Sequence, residues 1–437
     1  MIILKKILKG IITIEDGINI LSEEIKEFLQ KEALDRFLRY VQIWTTSDEH
    51  SNSNPSTQNQ LALGKVLASE LMELNLEDVI HDEYGYVYGN LPASTGLEDV
   101  KTIGLIAHID TSPAVSGKNV KPVIHKNYNG SPIEFASNPD IKLTTEDSPI
   151  LTEYIGLDIV TSEGDTLLGA DDKAGIAEIM ATCAAWKKYS ELKHGPIIIC
   201  FTPDEEVGRG TSKINKGRLP DFCYTLDGSE MGELEFECFD AWKAKIKFTG
   251  LSVHPGYAKN LLINAIHIAS RYLSDIPDFE SPEHTEDREG FYYLSELSGT
   301  VEEANAILII RDYEEKNNQT RMEYLQKLGE LYEFKNPGLK VNIEFLHQYK
   351  NMRRFIETKP EVVDMAKKAI EMAGLEIKIH AIRGGTDGSK LSEMGKPTPN
   401  IFSGGSLFHS RKEHIPTLAL QKASEVLIYL AEVWISA

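Results

Sequence analysis

Cysteine, long apolar runs and positive charge are all scarce in this chain of 437 residues. Its four cysteines show no Cys-x-x-Cys spacing. This pattern excludes a disulfide scaffold and is typical of buried thiols in a reducing compartment, so we expect a cytoplasmic protein. No apolar run approaches the roughly 18–20 residues that cross a bilayer, and we therefore expect no membrane partner.

Basic residues are outnumbered, because 46 Lys and Arg stand against 67 Asp and Glu, a formal net charge of −21. Nucleic acids and anionic membranes are bound largely through Lys and Arg, so we expect no nucleic-acid partner. The excess of acid instead suits a cationic ligand such as a metal ion or a free amino group.

Residues 1–31 are predicted to be an N-terminal extension. Their short apolar stretches are broken by charged residues and are followed by no small-residue cleavage site, so the segment is amphipathic and is not a signal peptide. Beyond it we expect a discontinuous catalytic domain (32–238 and 352–437) that is interrupted by an inserted domain (239–351).

Four compact apolar runs indicate the sheet of the discontinuous domain. They lie at 102–110, 196–206, 222–228 and 399–405. Helical periodicity separates them, most clearly over 173–189. Apolar runs that alternate with helices are typical of α/β proteins, so we predict a mostly parallel sheet covered by helices on both faces.

The inserted domain shows a different order of elements. From 244–254 to 340–349 the sequence reads β-α-β-β-α-β. This order gives a small antiparallel sheet with two helices on one face, the ferredoxin-like pattern. We therefore predict an α+β lid inserted into the larger domain.

Histidines and carboxylates stand where the predicted strands end or where a helix follows an apolar run. They are His108, Asp110, Asp171, Asp172, Glu205, Glu206, Asp227 and His409. In open α/β sheets, ligands bind outside the carboxyl ends of the strands. His and carboxylates without thiolates are the ligands of a hard or borderline metal ion.

Carboxylates that crowd together repel one another and tend to take up protons unless cations lie among them. Two divalent ions resolve this, since one carboxylate bridges them and each ion gains a histidine. Such a pair lowers the pKa of a bound water and polarises a substrate carbonyl, the two-metal arrangement for hydrolysis. One acid must stay free to accept the proton of that water. Adjacent Glu205 and Glu206 point in different directions, so one can bind metal while the other acts as the base.

Taken singly, these residues also fit plainer roles. Glu205 and Glu206 suit a helix N-terminus through its dipole. Asp171 or Asp172 suits a helix N-cap. A lone histidine or aspartate at a strand end is often structural or part of a turn. Their coincidence at strand ends is what favours the metal site.

Several segments resemble those of the di-zinc aminopeptidase/acylase/carboxypeptidase superfamily. They read GLIAHIDTSP, LLGADDKAGIAEIM, FTPDEEVGRG, YTLDG, VHPG, RGGTDGSKLS and PTPNIFSGG…FHSRKE. The resemblance runs from about Glu32 to the C-terminus and implies a zinc-exopeptidase-like fold. It further implies a di-zinc metallo-aminopeptidase that removes the N-terminal residue of tripeptides. Two Zn²⁺ ions per subunit are implied, and Co²⁺ or Mn²⁺ also suits such ligands.

The resemblance also implies a role for each residue at the strand ends. The implied metal ligands are His108, Asp227, Glu206 and His409, together with Asp171 as the bridge between the two ions. Asp110 would orient the first histidine, and Glu205 would be the general base. The peptide bond between Asp171 and Asp172 would be cis.

Four further residues are candidates for substrate binding, and three of them, in the predicted lid, resemble residues of the superfamily. His254 resembles a histidine that reaches the developing oxyanion, in related enzymes from a dimer partner, so a homodimer is considered. Asn264 and Arg311 resemble residues that bind the substrate's carboxylate. Alternatively, Asn264 caps a helix and Arg311 pairs with Asp312 on the surface. Arg383 precedes two glycines and belongs to an anion-binding site or a tight turn, of which we prefer the site.

The tail segment departs from the superfamily pattern. It reads Ser-Leu-Phe-His-Ser-Arg over 406–411, where the superfamily usually has an Asn-rich or Gly-containing segment. The histidine implied as a metal ligand, His409, is kept, and the departure bears on the substrate pocket. Two related activities remain as alternatives, a dipeptidase and an N-acyl amino acid amidohydrolase. A non-catalytic metal-binding scaffold is the alternative from another class, and the presence of Glu205 argues against it.

Overall fold

The computed structural model describes residues 6–8, 11–13 and 19–437. Part of the predicted extension 1–31, namely 1–5, 9–10 and 14–18, lies outside the described residues. The chain divides into two compact units. The first comprises Met1–Phe236, Phe355–His380 and Thr386–Ala437, and the second comprises Glu237–Arg354 and Ala381–Gly385.

The described helices are distributed over both units. They are α1 (Glu23–Tyr40), α2 (Gln60–Glu73), α3 (Ala170–Lys188), α4 (Ala265–Ser274), α5 (Glu315–Lys335), α6 (Arg353–Ile356), α7 (Glu361–Met372), α8 (Asp387–Glu393) and α9 (Thr417–Ile435). Among these helices, none combines the length and the apolar character that a membrane span requires.

The described strands form one large sheet, the sheet of the second unit and three small sheets. They are β1 (Lys6–Leu8), β2 (Ile11–Thr13), β3 (Asn19–Leu21), β4 (Glu77–His81), β5 (Val87–Leu91), β6 (Ile103–His108), β7 (Val123–His125), β8 (Ile133–Glu134), β9 (Lys142–Leu143), β10 (Ile159–Thr161), β11 (Ile197–Thr202), β12 (Phe222–Gly228), β13 (Glu233–Cys238), β14 (Asp240–Thr249), β15 (Phe291–Gly299), β16 (Glu303–Asp312), β17 (Lys340–Tyr349), β18 (Lys378–Ile382), β19 (Asn400–Phe402) and β20 (His414–Pro416).

Helix α1 shows how local signals set the start of an element. The Ser22 hydroxyl oxygen accepts a hydrogen bond from the backbone N–H of Ile25 at 3.3 Å and so caps the helix. Its buried side chains recur at helical spacing, from Ile25 and Leu29 to Ala33 and Phe37. This stripe packs against α3 and α9. The helix is therefore part of the core of the first unit.

The large sheet has the order β18-β13-β19-β12-β6-β11-β5-β4. Its central strands β19, β12, β6 and β11 run parallel to one another. Strands β5 and β13 pair antiparallel on either side of them. The four parallel strands are the four apolar runs of the sequence, so the predicted mostly parallel sheet is confirmed.

Side chains of alternate residues in the central strands face different helices. The hydroxyl of Tyr224 on β12 accepts a hydrogen bond from the indole N–H of Trp434 on α9 at 2.9 Å. Its neighbour Cys223 faces the other way and packs with Leu391 of α8. Helices therefore cover both faces of the sheet, as predicted.

The second unit contains the predicted lid fold. Its four strands have the order β15-β16-β14-β17 and all pair antiparallel. Alternate residues of β14, among them Ile246 and Phe248, are buried against α4 and α5 together with Leu308 and Ile310 of β16. The observed element order is β-α-β-β-α-β, which confirms the ferredoxin-like pattern.

Candidate metal centre

Three neighbouring strands bring the predicted site residues to one edge of the large sheet. Strand β6 ends at His108 and is followed by Asp110. Strand β11 leads into a short 3₁₀ turn that contains Glu205 and Glu206. Strand β12 carries Asp227 next to its last residue. Because these strands are parallel and adjacent, their carboxyl ends meet at the same edge.

Helix α3 contributes Asp171 from an irregular first turn. Asp171 and Asp172 have non-helical backbone angles, and the peptide bond between them is cis, as predicted. The Asp172 carboxylate accepts hydrogen bonds from the backbone N–H of Gly175 at 3.3 Å and of His108 at 3.1 Å. The N-cap role that we considered therefore belongs to Asp172, and the Asp171 carboxylate is left for the site.

The buried side chain of Glu413 holds the segment that carries Asp171. Its two carboxylate oxygens accept hydrogen bonds from four consecutive backbone N–H groups. These groups belong to Leu168 (2.8 Å), Gly169 (2.9 Å), Ala170 (2.6 Å) and Asp171 (3.2 Å). Burial raises the pKa of Glu413 to about 7, while the four donors favour its charged form.

Asp171 lies between the two histidines. Its Oδ1 is 2.7 Å from Nε2 of His108, and its Oδ2 is 3.0 Å from Nε2 of His409. Each histidine also approaches a second carboxylate, with His108 Nε2 at 3.5 Å from Asp227 and His409 Nε2 at 2.9 Å from Glu206. The structure thus brings the five predicted metal ligands together, with Asp171 at the centre and the other four around it.

Asp110 supports both sides of this cluster. The Nδ1–H of His108 donates to the backbone carbonyl of Asp110 at 3.0 Å, which leaves Nε2 as the nitrogen that faces Asp171. The Asp110 carboxylate accepts hydrogen bonds from the backbone N–H of Glu205 at 3.0 Å and of Glu206 at 3.2 Å. In the described part of the chain, the Glu205 carboxylate itself accepts no hydrogen bond.

The electrostatics of the cluster show a shortage of positive charge. Burial raises the pKa of Glu206 to about 8, and the Asp171 carboxylate adds to the rise. Burial likewise raises the pKa of Glu205 well above its usual value. Burial alone would lower the pKa of His409, but its hydrogen bonds with Asp171 and Glu206 outweigh burial and raise the pKa to about 10. The acids of the cluster thus tend to stay protonated, while the imidazoles beside them tend to gain a proton. Bound cations would supply the missing positive charge and remove this tendency.

The donor set fits a metal ion. Among the described residues, Glu206 Oε1 is buried and has no hydrogen-bond partner. Two overlapping groups offer ligand atoms that lie within 4.8 Å of one another. These groups are His108 with Asp171 and Glu206, and His108 with Asp172 and Asp227. Imidazole and carboxylate donors at such spacing suit zinc or a similar divalent ion.

Sequence reasoning missed Asp387, which is buried beside the cluster. Its Oδ2 accepts a hydrogen bond from the Thr202 hydroxyl at 2.6 Å. An added Cβ at Gly210 would lie 2.1 Å from its Oδ1, so the carboxylate rests against the loop that follows Glu205. The signal was present, because Asp387 belongs to the RGGTDGS motif, in which only Arg383 and the two glycines were singled out.

The lid residues lie in the second unit. His254 is exposed, and its Nδ1 accepts a hydrogen bond from the backbone N–H of Gly256 at 3.1 Å. Asn264 caps α4, since its Oδ1 accepts from the backbone N–H of His267 at 3.2 Å, which confirms the alternative role that we considered. A capping role does not test substrate binding, so that assignment stays a prediction.

The two lid arginines are bound within their own unit. Arg311 is 9% exposed and donates to the backbone carbonyls of Trp242 and Ile310 at 3.1 and 3.0 Å. Asp312 pairs with Arg321 at 2.5 Å, so the surface pair between Arg311 and Asp312 that we considered is wrong.

Arg383 holds a loop of the second unit. Its guanidinium donates to the backbone carbonyls of Thr285, Asp287 and Glu289 at 3.3, 2.8 and 3.0 Å. Substrate-binding roles for Arg311 and Arg383 stay predictions.

Comparison with protein families and sequences gives a consistent result. The model of peptidase family M20/M25/M40 matches residues 163–433. Peptidase T of Caldanaerobacter subterraneus subsp. tengcongensis is 46% identical over 402 residues, which cover 92% of this chain and 98% of that relative. Peptidase T of Desulfitobacterium hafniense strain Y51 is 47% identical over 402 residues, with the same coverage.

Solved structures share the fold at lower sequence identity. A tripeptidase from Staphylococcus aureus has a TM-score of 0.74 at 21% identity and covers 93% of this chain and 99% of its own. Aminopeptidase PepT from Bacillus cereus has a TM-score of 0.72 at 22% identity, with the same coverage. A dinuclear metal-binding peptidase of the M20 family from Bacillus subtilis has a TM-score of 0.64 at 13% identity and covers 94% of this chain and 99% of its own.

Proposed function

Because this chain belongs to peptidase family M20/M25/M40, we propose that it removes the N-terminal residue from tripeptides by metal-assisted hydrolysis. The observation that carries the proposal is the position of Asp171 between two imidazoles, with further carboxylates beside each of them. Relatives at 46–47% identity over nearly their whole length are peptidases T, which supports tripeptides as the substrate class.

Two zinc ions are the proposed cofactors. His108 and Asp227 would hold one ion, Glu206 and His409 the other, and Asp171 would bridge them. Bound there, the ions would supply polarisation of the scissile carbonyl and a lowered pKa of the attacking water. A Bacillus subtilis protein of the same fold is described as a dinuclear metal-binding peptidase, which supports the pair of ions.

Glu205 is the proposed general base. Its backbone N–H is held by the Asp110 carboxylate at 3.0 Å, which fixes the start of its side chain beside the cluster. The Glu205 carboxylate would take a proton from the attacking water and give it to the departing amine nitrogen. Burial raises its pKa, which suits a group that must hold the proton between the two transfers.

A substrate ladder tests the proposed function directly. We expect the metal-loaded enzyme to cleave tripeptides such as Leu-Gly-Gly with release of the first residue, and to cleave dipeptides, hexapeptides and N-acyl amino acids much more slowly. Removal of metal by a chelator should abolish the activity, and addition of Zn²⁺ should restore it. Equal turnover of di-, tri- and hexapeptides would contradict the proposal.

Two matched variants separate the base from the ligands. Glu205→Gln should keep the bound metal and lose about 10²–10⁴-fold in kcat, the usual contribution of a general base. Glu206→Gln, its neighbour in the same turn, should bind less metal. Metal content by atomic emission and kcat on the same preparations provide the measurement. Unchanged turnover of Glu205→Gln would remove that residue from the mechanism.

We also propose a cytoplasmic location and retain the homodimer as a prediction. Cys183, Cys200, Cys223 and Cys238 all lie in the described part of the chain, where they are buried and form no disulfide, which supports a reducing compartment. Sedimentation of the metal-loaded chain would test whether two copies associate.

A further inference from the structure

A cavity of about 460 Å³ adjoins the metal centre within the first unit. Its lining residues are Val115, Ile141, Asp147, Leu407, His409, Ser410, Arg411 and Lys412. The imidazole of His409 belongs both to this lining and to the metal centre, where it contacts Asp171 and Glu206. A group that fills the cavity would therefore lie next to the candidate metal centre.

One wall of the cavity is apolar and firmly supported. Val115, Ile141 and Leu407 form it. Ile141 and Leu407 pack against a buried cluster. That cluster consists of Tyr128, Ile133, Phe135, Leu143, Leu151, Tyr154 and Ile159. A wall that rests on such a core keeps its shape when a ligand arrives, as selective binding requires.

The polar groups of the lining are largely engaged with one another. The ammonium group of Lys412 lies 2.5 Å from the Asp147 carboxylate, so these two charges compensate each other. The Ser410 hydroxyl donates to the backbone carbonyl of Leu407 at 2.6 Å. Arg411 is exposed at the rim. The surface that remains for a ligand inside the cavity is thus mainly apolar.

Leu407 occupies a backbone position that does not suit leucine. Its φ is +54°, in the left-handed region that glycine and asparagine adopt more readily than other residues. The backbone conformation at this position therefore does not explain the presence of leucine. What leucine contributes is its side chain, which packs on the buried cluster and forms part of the cavity wall.

We propose that this cavity binds an apolar side chain of the tripeptide, at a residue that flanks the scissile bond, and that Leu407 determines this preference. The inference rests on the proposed function and names the substrates within it. An apolar side chain that enters the cavity leaves water and contacts the wall, and each methylene in such a pocket changes kcat/KM by about tenfold or more.

The test compares two series of tripeptides. In X-Gly-Gly the first residue varies among Leu, Val, Ser and Asp, and in Gly-X-Gly the second residue varies in the same way. For the metal-loaded wild type we expect kcat/KM to be at least tenfold higher for Leu than for Ser in one of the two series. The series that responds identifies which side chain enters the cavity.

The variant Leu407→Asn separates selectivity from folding. Asparagine is better suited to the left-handed position, which offsets part of the packing that Leu407 loses, so the midpoint of unfolding in urea should fall only slightly, while the Leu/Ser ratio should drop about tenfold. Leu407→Met keeps an apolar wall and should retain the ratio. Ile155→Asn, at an exposed isoleucine outside the cavity lining, is the matched control and should leave the ratio unchanged.

The outcomes distinguish this inference from the proposed function. If the wild type cleaves no tripeptide, the proposed function fails. If it cleaves tripeptides with no Leu/Ser preference in either series, or if Leu407→Asn retains the preference, the cavity does not select the substrate and the inference is wrong.

Discussion

Replacement of Glu413 by glutamine should disturb the metal centre although Glu413 is not one of the proposed ligands. The carboxylate accepts hydrogen bonds from four consecutive backbone N–H groups, those of 168–171. A glutamine offers one oxygen, which can accept from two of these groups. Its amide nitrogen would face the other two, so two buried donors would lose their acceptor.

The size of the effect follows from this count. A buried donor without an acceptor costs about 1–3 kcal/mol, so two such donors cost about 2–6 kcal/mol in the free energy of unfolding. Because the last of the four groups is the N–H of Asp171, the loss also loosens the proposed bridging ligand. We expect metal to dissociate about 10–100-fold more readily, the usual effect when a group that orients a ligand is removed.

Urea unfolding of the metal-free chain and metal titration would measure the two effects separately. Glu425→Gln is the matched control. Glu425 is equally buried in the first unit, and it accepts hydrogen bonds only from the side chains of Gln421 and Lys422 among the described residues. Its replacement should lower the free energy of unfolding by about 1 kcal/mol and leave metal affinity unchanged. If Glu413→Gln behaved like this control, our account of the Asp171 segment would be refuted.

Two further predictions concern the supports of the site and of the fold. Asp110→Asn should lower kcat or metal affinity about 10–100-fold, because it weakens the hold on the backbone N–H groups of Glu205 and Glu206; a change below twofold in both would contradict this. Glu70→Gln should lower the free energy of unfolding by about 1–3 kcal/mol near pH 7, because the charged Glu70 carboxylate is stabilised in the folded protein. Burial alone would raise the pKa of Glu70, but Arg39, Tyr40 and Arg36 lower it below its usual value. A carboxylate whose pKa is lower in the folded than in the unfolded protein stabilises the fold at pH values above its unfolded pKa. The difference in the free energy of unfolding between wild type and Glu70→Gln should therefore vanish as the pH falls through the folded pKa. Urea titrations between pH 3 and 7 that gave the same difference at every pH would contradict this.

The large sheet could be predicted because its signal is local. Each parallel strand is buried on both faces and therefore appears in the sequence as a continuous apolar run. Helix α3 was predicted from 173, where its regular part begins, but an irregular turn from Ala170 precedes it, with non-helical backbone angles at Asp171 and Asp172. Its first turn depends on Glu413, which lies more than 240 residues away in the sequence. No periodicity in the helix itself reveals that partner.

The lid arginine shows why neighbours in sequence are poor evidence for an ion pair. Arg311 and Asp312 are consecutive residues of β16, and side chains of consecutive strand residues point to opposite faces. Asp312 therefore pairs with Arg321, while Arg311 is bound to backbone carbonyls. By contrast, the capping role of Asn264 was foreseen, because a cap depends only on the three residues that follow.

The sequence by itself determined which residue types stand at the ends of the strands, since apolar runs and the acids after them are adjacent along the chain. The local pattern left open which acid of the Asp171–Asp172 pair faces the cluster; the family resemblance implied Asp171, and only the tertiary structure shows why. Asp172 is taken up by the backbone N–H groups of Gly175 and His108. Asp171 is thereby directed to His409, 238 residues further along the chain. Such pairings depend on how distant segments pack, and no local pattern contains that information.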